Sequence, residues 1–115
     1  PMQPHQPAKL LRLHFTERDR HQGKPLYEAV IAKCRELKIA GATVFRGLEG
    51  YGGTAELHRA HVFTQDLPIV VQIVDSAENV ARLVPVVEEM MDQGLIAVSD
   101  VTMVRVRKTG AGQDV

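Results

Sequence analysis

The sequence predicts one α+β domain of element order βαββαβ, a ferredoxin-like sandwich in which a four-stranded antiparallel sheet carries two helices on one face. Three observations predict it. Apolar residues alternate with period two in KLLRLHF and again near the end of the chain. They recur at helical spacing in two separate segments. Between those segments lie two runs of strand-forming residues, ATVFRGL and LPIVVQIVD.

The first strand covers residues 9–15: Leu11, Leu13 and Phe15 share one face, and Leu10, Arg12 and His14 the other. A charged loop, TERDRHQGK, leads to Pro25, suited to the first helical position, with Glu28 in the first turn to complement the helix dipole. Leu26, Val30, Cys34 and Leu37 form the apolar stripe of a helix running to about Lys38, and Gly41 is placed to help the chain leave it. Residues 42–48 form the second strand, stopped by a glycine cluster, and residues 49–66 a long loop without sustained period. The third strand, residues 67–75, is the most apolar, with Pro68 tolerated at its start. Asp75 or Ser76 caps a second helix, in which Val80, Leu83, Val84, Val87 and Met91 keep helical spacing up to Gly94; Pro85 is expected to kink or divide it. The last strand spans about Ile96 to Lys108.

With 115 residues and 44% hydrophobic side chains, the chain has material for one core. The domain covers residues 8–108, between a Pro/Gln-rich tail at 1–7 and a Gly-rich tail at 109–115. No apolar run approaches the roughly 20 residues of a membrane helix, and no basic-then-apolar segment opens the chain, so a cytoplasmic protein is expected. Cys34, the one cysteine, reads as a small buried residue. Fourteen basic against fourteen acidic side chains exclude a general polyanion binder. The βαββαβ order is shared with RNA-binding sheets, but LPIVVQIV lacks the aromatic residues that base stacking needs, so no nucleic-acid partner is expected.

Leu10, Val44, Leu48, Val70, Val74, Val101 and Met103 alternate with the helix-facing positions. A sheet face so apolar predicts burial between subunits. At the end of the second strand, Gly47, Gly50, Gly52 and Gly53 surround Tyr51. Glycines so dense let backbone N–H groups converge on an anion, as a nest for phosphate requires. A mobile hairpin would use the same residues. No Gly-Lys-Ser/Thr follows and no helix opens there, which excludes a Walker loop and a dinucleotide fingerprint.

The run LRLHFTERDRHQGKPLYEAVI, then GATVFRGLEGYGG, DLPIVVQIVD and GLIAVSDV, resembles the P-II-like domain-of-unknown-function family 190, within the P-II signal-transduction superfamily. The resemblance covers about residues 9–107. It implies a homotrimer with clefts between subunits, an adenine nucleotide as the ligand, and a long loop, here 49–66, that reports the ligand to a membrane transporter or enzyme target. No further cofactor is required. Gly50-Tyr51-Gly52 matches the loop base, which makes the Gly52–Gly53 backbone the candidate phosphate contact, and Arg105 and Arg107 match basic residues that face phosphates. The second phosphate loop of the superfamily is reduced here to Asp92-Gln93-Gly94-Leu95, so the pattern departs from ATP binding; Lys24 and the 16–24 loop are candidates for the missing charge.

Two alternatives stand beside this reading. His58 and His61, three apart, could share a metal with imidazole preferences, as in a CutA-like divalent-metal trimer; His14 and His21 lie near the end of the first strand. Asp19, His21 and Glu49 could meet at a cleft and support slow nucleotide hydrolysis, although no catalytic motif is present and a non-enzyme is expected. The zero net charge is itself a cancellation. Residues 1–60 carry 10 basic and 6 acidic side chains and residues 61–115 carry 4 and 8, with Arg46 and Arg59 bracketing the glycine cluster. A compact anion therefore remains a suitable ligand if subunit packing brings Arg105 and Arg107 to the glycines.

Overall fold

The computed structural model describes residues 5–51 and 66–108. Its elements are β1 (Gln6–Thr16), β2 (Arg20–His21), β3 (Lys24–Pro25), α1 (Leu26–Glu36), β4 (Thr43–Arg46), β5 (Pro68–Asp75), α2 (Ala77–Met90) and β6 (Leu95–Met103). Four strands form one sheet in the order β4-β5-β1-β6, and every neighbouring pair is antiparallel. This is the ferredoxin-like arrangement expected from the alternation of strand and helix signals. β2 and β3 form a separate two-stranded ribbon, turned by Gln22 at φ 52° and Gly23 at φ 83°. The ribbon lies in a segment that sequence alone reads as a charged loop.

The core lies between sheet and helices. Leu11 and Leu13 of β1, Leu26 and Val30 of α1, Ile69, Val71 and Ile73 of β5, and Leu83 and Val87 of α2 are all essentially inaccessible to solvent. Each contributes about 1.5–3 kcal/mol by burial, so this layer, rather than the opposite sheet face, supplies the apolar free energy of the single chain.

Both helices end by local devices. After α1, Lys38 takes φ 61°, with its N–H donating to the Arg35 carbonyl and the Ile39 N–H donating to the Cys34 carbonyl. That is a Schellman ending on a lysine, and Gly41 is not needed for it. Ser76 caps α2: its Oγ accepts from the Asn79 N–H at 3.1 Å. Pro85 sits within α2 on its exposed side and does not divide the helix, which stops at Met90, before Gly94.

β1 begins at Gln6, inside the segment expected to be a tail, because Gln6 and Pro7 stand opposite Met103 and Thr102. β6 ends at Met103, opposite Gln6 at the start of β1; Val104 to Lys108 continue outside the sheet and exposed. Val44 stands opposite Val71 and faces the helices, contrary to expectation, and Phe45, opposite Val70, faces the open side. Leu48 lies beyond the strand and is exposed.

Cys34 is buried in α1 and burial pushes its thiol up to about 11. A group so rarely ionised reacts slowly. Ellman's reagent should modify native protein at a small fraction of the rate seen in urea; equal rates would contradict burial.

Candidate cleft at the end of the sheet

On the open face, one row of directly opposed residues crosses all four strands: Phe45 of β4, Val70 of β5, His14 of β1 and Leu95 of β6. This row floors a cleft of about 550 Å³. One wall is built by Arg46, Gly47, Glu49, Gly50 and Tyr51, and the other by Thr16, Asp19, Gln93 and Gly94. Phe45 and Leu95 are half exposed on the floor, and Tyr51 is 91% exposed on the rim. The floor therefore offers apolar and aromatic area, and the rim offers the polar groups.

The walls are fixed from the backbone outward. The Gly47 N–H donates to the Pro68 carbonyl at 2.8 Å, so the chain leaving β4 is held against the start of β5. A Cβ on Gly47 or Gly50 would lie 2.7 or 2.9 Å from Pro68 Cγ. These two glycines thus serve close packing against the proline ring, and neither has a positive φ. On the opposite wall, Asp19 accepts from the Thr16 N–H at 2.7 Å and from Gln93 Nε2 at 3.2 Å, tying the end of β1 to the turn before β6.

Among the described residues, Arg46 is the only lysine or arginine on the cleft walls, beside the acidic Asp19 and Glu49. Its guanidinium is engaged by Glu17, with Nη2 2.5 Å from Oε2. Glu49 and Asp19 reach the cleft, while His21 and Lys24 stand in the ribbon and do not line it. Arg105 and Arg107 follow the far end of β6, and Arg105 acts electrostatically on Asp75 at the opposite end of β5 from Pro68. That strand is about 23 Å long at the usual rise per residue, so within one chain these arginines do not meet the glycine wall. Gly52, Gly53, His58 and His61 lie outside the described residues. Among the described residues, no group of three or more His, Cys, Asp or Glu side chains could hold a metal ion, and no helix is long and apolar enough to cross a membrane.

Phe45 and Glu17 are cleft or near-cleft residues that sequence reasoning did not single out, while Gln93 and Gly94 come from the Asp92–Leu95 segment that it did. Phe45 needed the register of β4 against β5, and Glu17 needed a contact across the fold.

The sequence that builds this cleft matches the family model of DUF190, described as an uncharacterized ACR family, over residues 8–103. The chain belongs to the DUF190 family. The UPF0166 protein of Aquifex aeolicus (strain VF5) is 36% identical over 98 residues, which cover 84% of this chain and 92% of that one. A UPF0166 protein of Methanocaldococcus jannaschii is 33% identical over 96 residues, covering 81% and 88%. Among solved structures, this DUF190 chain is similar to CPII, a nitrogen regulatory PII-like protein from Thiomonas intermedia K12, bound to ADP, AMP and bicarbonate. The TM-score is 0.62 at 20% identity, over 89% of this chain and 92% of that one. The DUF190 chain therefore has the PII-like fold.

Proposed function

We propose that this DUF190 protein is a P-II-like regulatory protein: a homotrimer that senses a small anionic ligand, an adenine nucleotide, in clefts between subunits and signals through residues 49–66 to a protein target. The observation that carries the reading is the incompleteness of the cleft in one chain. It has an apolar and aromatic floor suited to a base, but Arg46, the one lysine or arginine lining it among the described residues, is already paired with Glu17. Two further arginines, Arg105 and Arg107, follow the other end of the same sheet, on the side of Asp75. A closed ring of copies, each laying its open face against the next, supplies one subunit's arginines to another subunit's cleft. The exposed Phe45, Leu95, Val104 and Val106 support such a contact. A relative in fold is bound to ADP, AMP and bicarbonate, which directs the choice of ligands to test.

The test is titration calorimetry of the full chain, with its mass in solution followed by analytical ultracentrifugation. A trimer that binds ADP or AMP is expected, and Arg105→Ala and Arg107→Ala should each weaken binding by about tenfold, the usual order for a charge-assisted contact. A folded protein that binds none of ADP, AMP, ATP and bicarbonate would overturn the reading.

A further inference from the structure

Glu17 closes no part of the cleft wall, yet it reaches Arg46, the one lysine or arginine lining the cleft among the described residues. β1 and β4 flank β5 on either side, and the Glu17 side chain spans the start of β5 to meet Arg46. Its main chain is held in place: the Glu17 N–H donates to the Leu67 carbonyl at 2.9 Å, and the neighbouring Thr16 is tied to Asp19. The Glu17 side chain is 16% exposed and that of Arg46 54% exposed. The second carboxylate oxygen, Oε1, is buried without a hydrogen-bond partner among the described residues. Arg46 can thus turn toward solvent, whereas Glu17 cannot follow it.

We propose that Glu17 is a built-in competitor for the anion, a tethered carboxylate that occupies Arg46 in the empty cleft and sets how tightly the cleft holds a negatively charged ligand. The chemistry is direct. A guanidinium half-neutralised by a fixed carboxylate attracts an incoming phosphate less, and the carboxylate repels that phosphate as well. A ligand must either share the remaining donors of Arg46 at this cost or draw the guanidinium away and leave Glu17 buried beside no cation. Either way Glu17 lowers affinity, and it does so most for the most highly charged ligand. It is therefore a specificity-determining residue that discriminates between anions by charge. The proposal rests on the reading of the cleft as an anion site.

Glu17→Gln keeps the shape and an acceptor for Arg46 and removes the charge. The full-length variant should bind ADP about tenfold more tightly than the unmodified protein, and inorganic pyrophosphate should gain at least as much, because removing one like charge beside a partly exposed anion is worth that order. The gain should vanish in Glu17→Gln/Arg46→Ala, which separates competition for Arg46 from a general change of stability. If the unmodified protein binds ADP and Glu17→Gln, with an unchanged melting temperature, binds it equally or less tightly, the competitor role is wrong and the anion site stands. If neither protein binds either probe, both the competitor and the anion site fall. Binding by Glu17→Gln alone would show the competitor at its strongest. Should Glu17→Gln not fold, Glu17→Ser removes both the charge and the hold on Arg46, and a tighter complex is again expected; an unchanged one overturns the proposal.

Discussion

Gly94→Ala is expected to destabilise the folded chain by about 3–5 kcal/mol, at the upper end of single substitutions. Gly94 has φ +116°, where an L side chain is strained in any surroundings, and the surroundings add to it. An added Cβ would lie 2.2 Å from the His14 carbonyl oxygen and 3.0 Å from Met91 Cε. Methionine can yield, but the His14 backbone cannot, because His14 stands between Val70 and Leu95 in the middle of the sheet. Relief must come from moving the turn itself, which carries Gln93 away from Asp19 and opens a cleft wall. Gly41→Ala is the matched control: nothing lies within 4 Å of its added Cβ and its φ is not positive. Urea unfolding should place that variant within about 0.5 kcal/mol of the unmodified protein. Equal stabilities for the two variants would refute this account of the turn.

Element order was legible because each element buries one face with its own period. Leu11, Leu13 and Phe15 on β1, and Val80, Leu83 and Val87 on α2, are buried as their spacing requires. The misreadings share one cause, a decision made by a residue distant in sequence. Val44 and Phe45 are both apolar, so only pairing with β5 determines which of them faces the helices. Val104 to Lys108 alternate like a strand but lie outside the sheet, whose β1 starts at Gln6, opposite Met103. Helix ends show the same limit at shorter range: a Schellman ending on Lys38 carries no glycine to announce it.

The site was legible in part for a related reason. The glycine cluster, Arg46 and Tyr51 do stand together on one wall. Gly47 and Gly50, however, are small because Pro68 packs against them from the next strand, a contact that composition cannot reveal. The charge pattern pointed to a compact anion, and the structure sharpens where the difficulty lies: among the described residues, the cleft of one chain has Arg46 as its one lysine or arginine, paired with Glu17 and beside Asp19 and Glu49. Arg105 and Arg107 are too far along the sheet to relieve that within the same chain. An anion site and an assembly of several copies are therefore one proposal, and evidence against either weakens both.

Replacing Asp75 with asparagine is expected to cost about 3 kcal/mol near neutral pH, and the cost should shrink in acid. Asp75 is the one buried charged residue of the described core. Its Oδ2 accepts from the Ala40 N–H at 2.8 Å, and its Oδ1 accepts from the Ser76 N–H at 2.7 Å and from Asn79 Nδ2 at 3.0 Å. One carboxylate thereby joins the connection after α1 to the end of β5 and the start of α2. Burial by itself would raise its pKa, but the hydrogen bonds from Ala40, Ser76 and Asn79, together with the charge of Arg105, outweigh it and hold the group below its ordinary 3.8. An asparagine amide turned to serve Ser76 meets the Ala40 N–H with a second donor, and an unsatisfied buried donor costs about 1–3 kcal/mol in addition to the lost charge-assisted bonds. The folded carboxyl titrates below the unfolded one, so its stabilisation is complete above about pH 5 and is lost as pH falls through the folded pKa, below 3.8. Unfolding curves of the two proteins should therefore be furthest apart at pH 7 and converge below pH 4. A separation that stays constant from pH 7 to pH 3 would mean that Asp75 contributes through its shape and not through its charge.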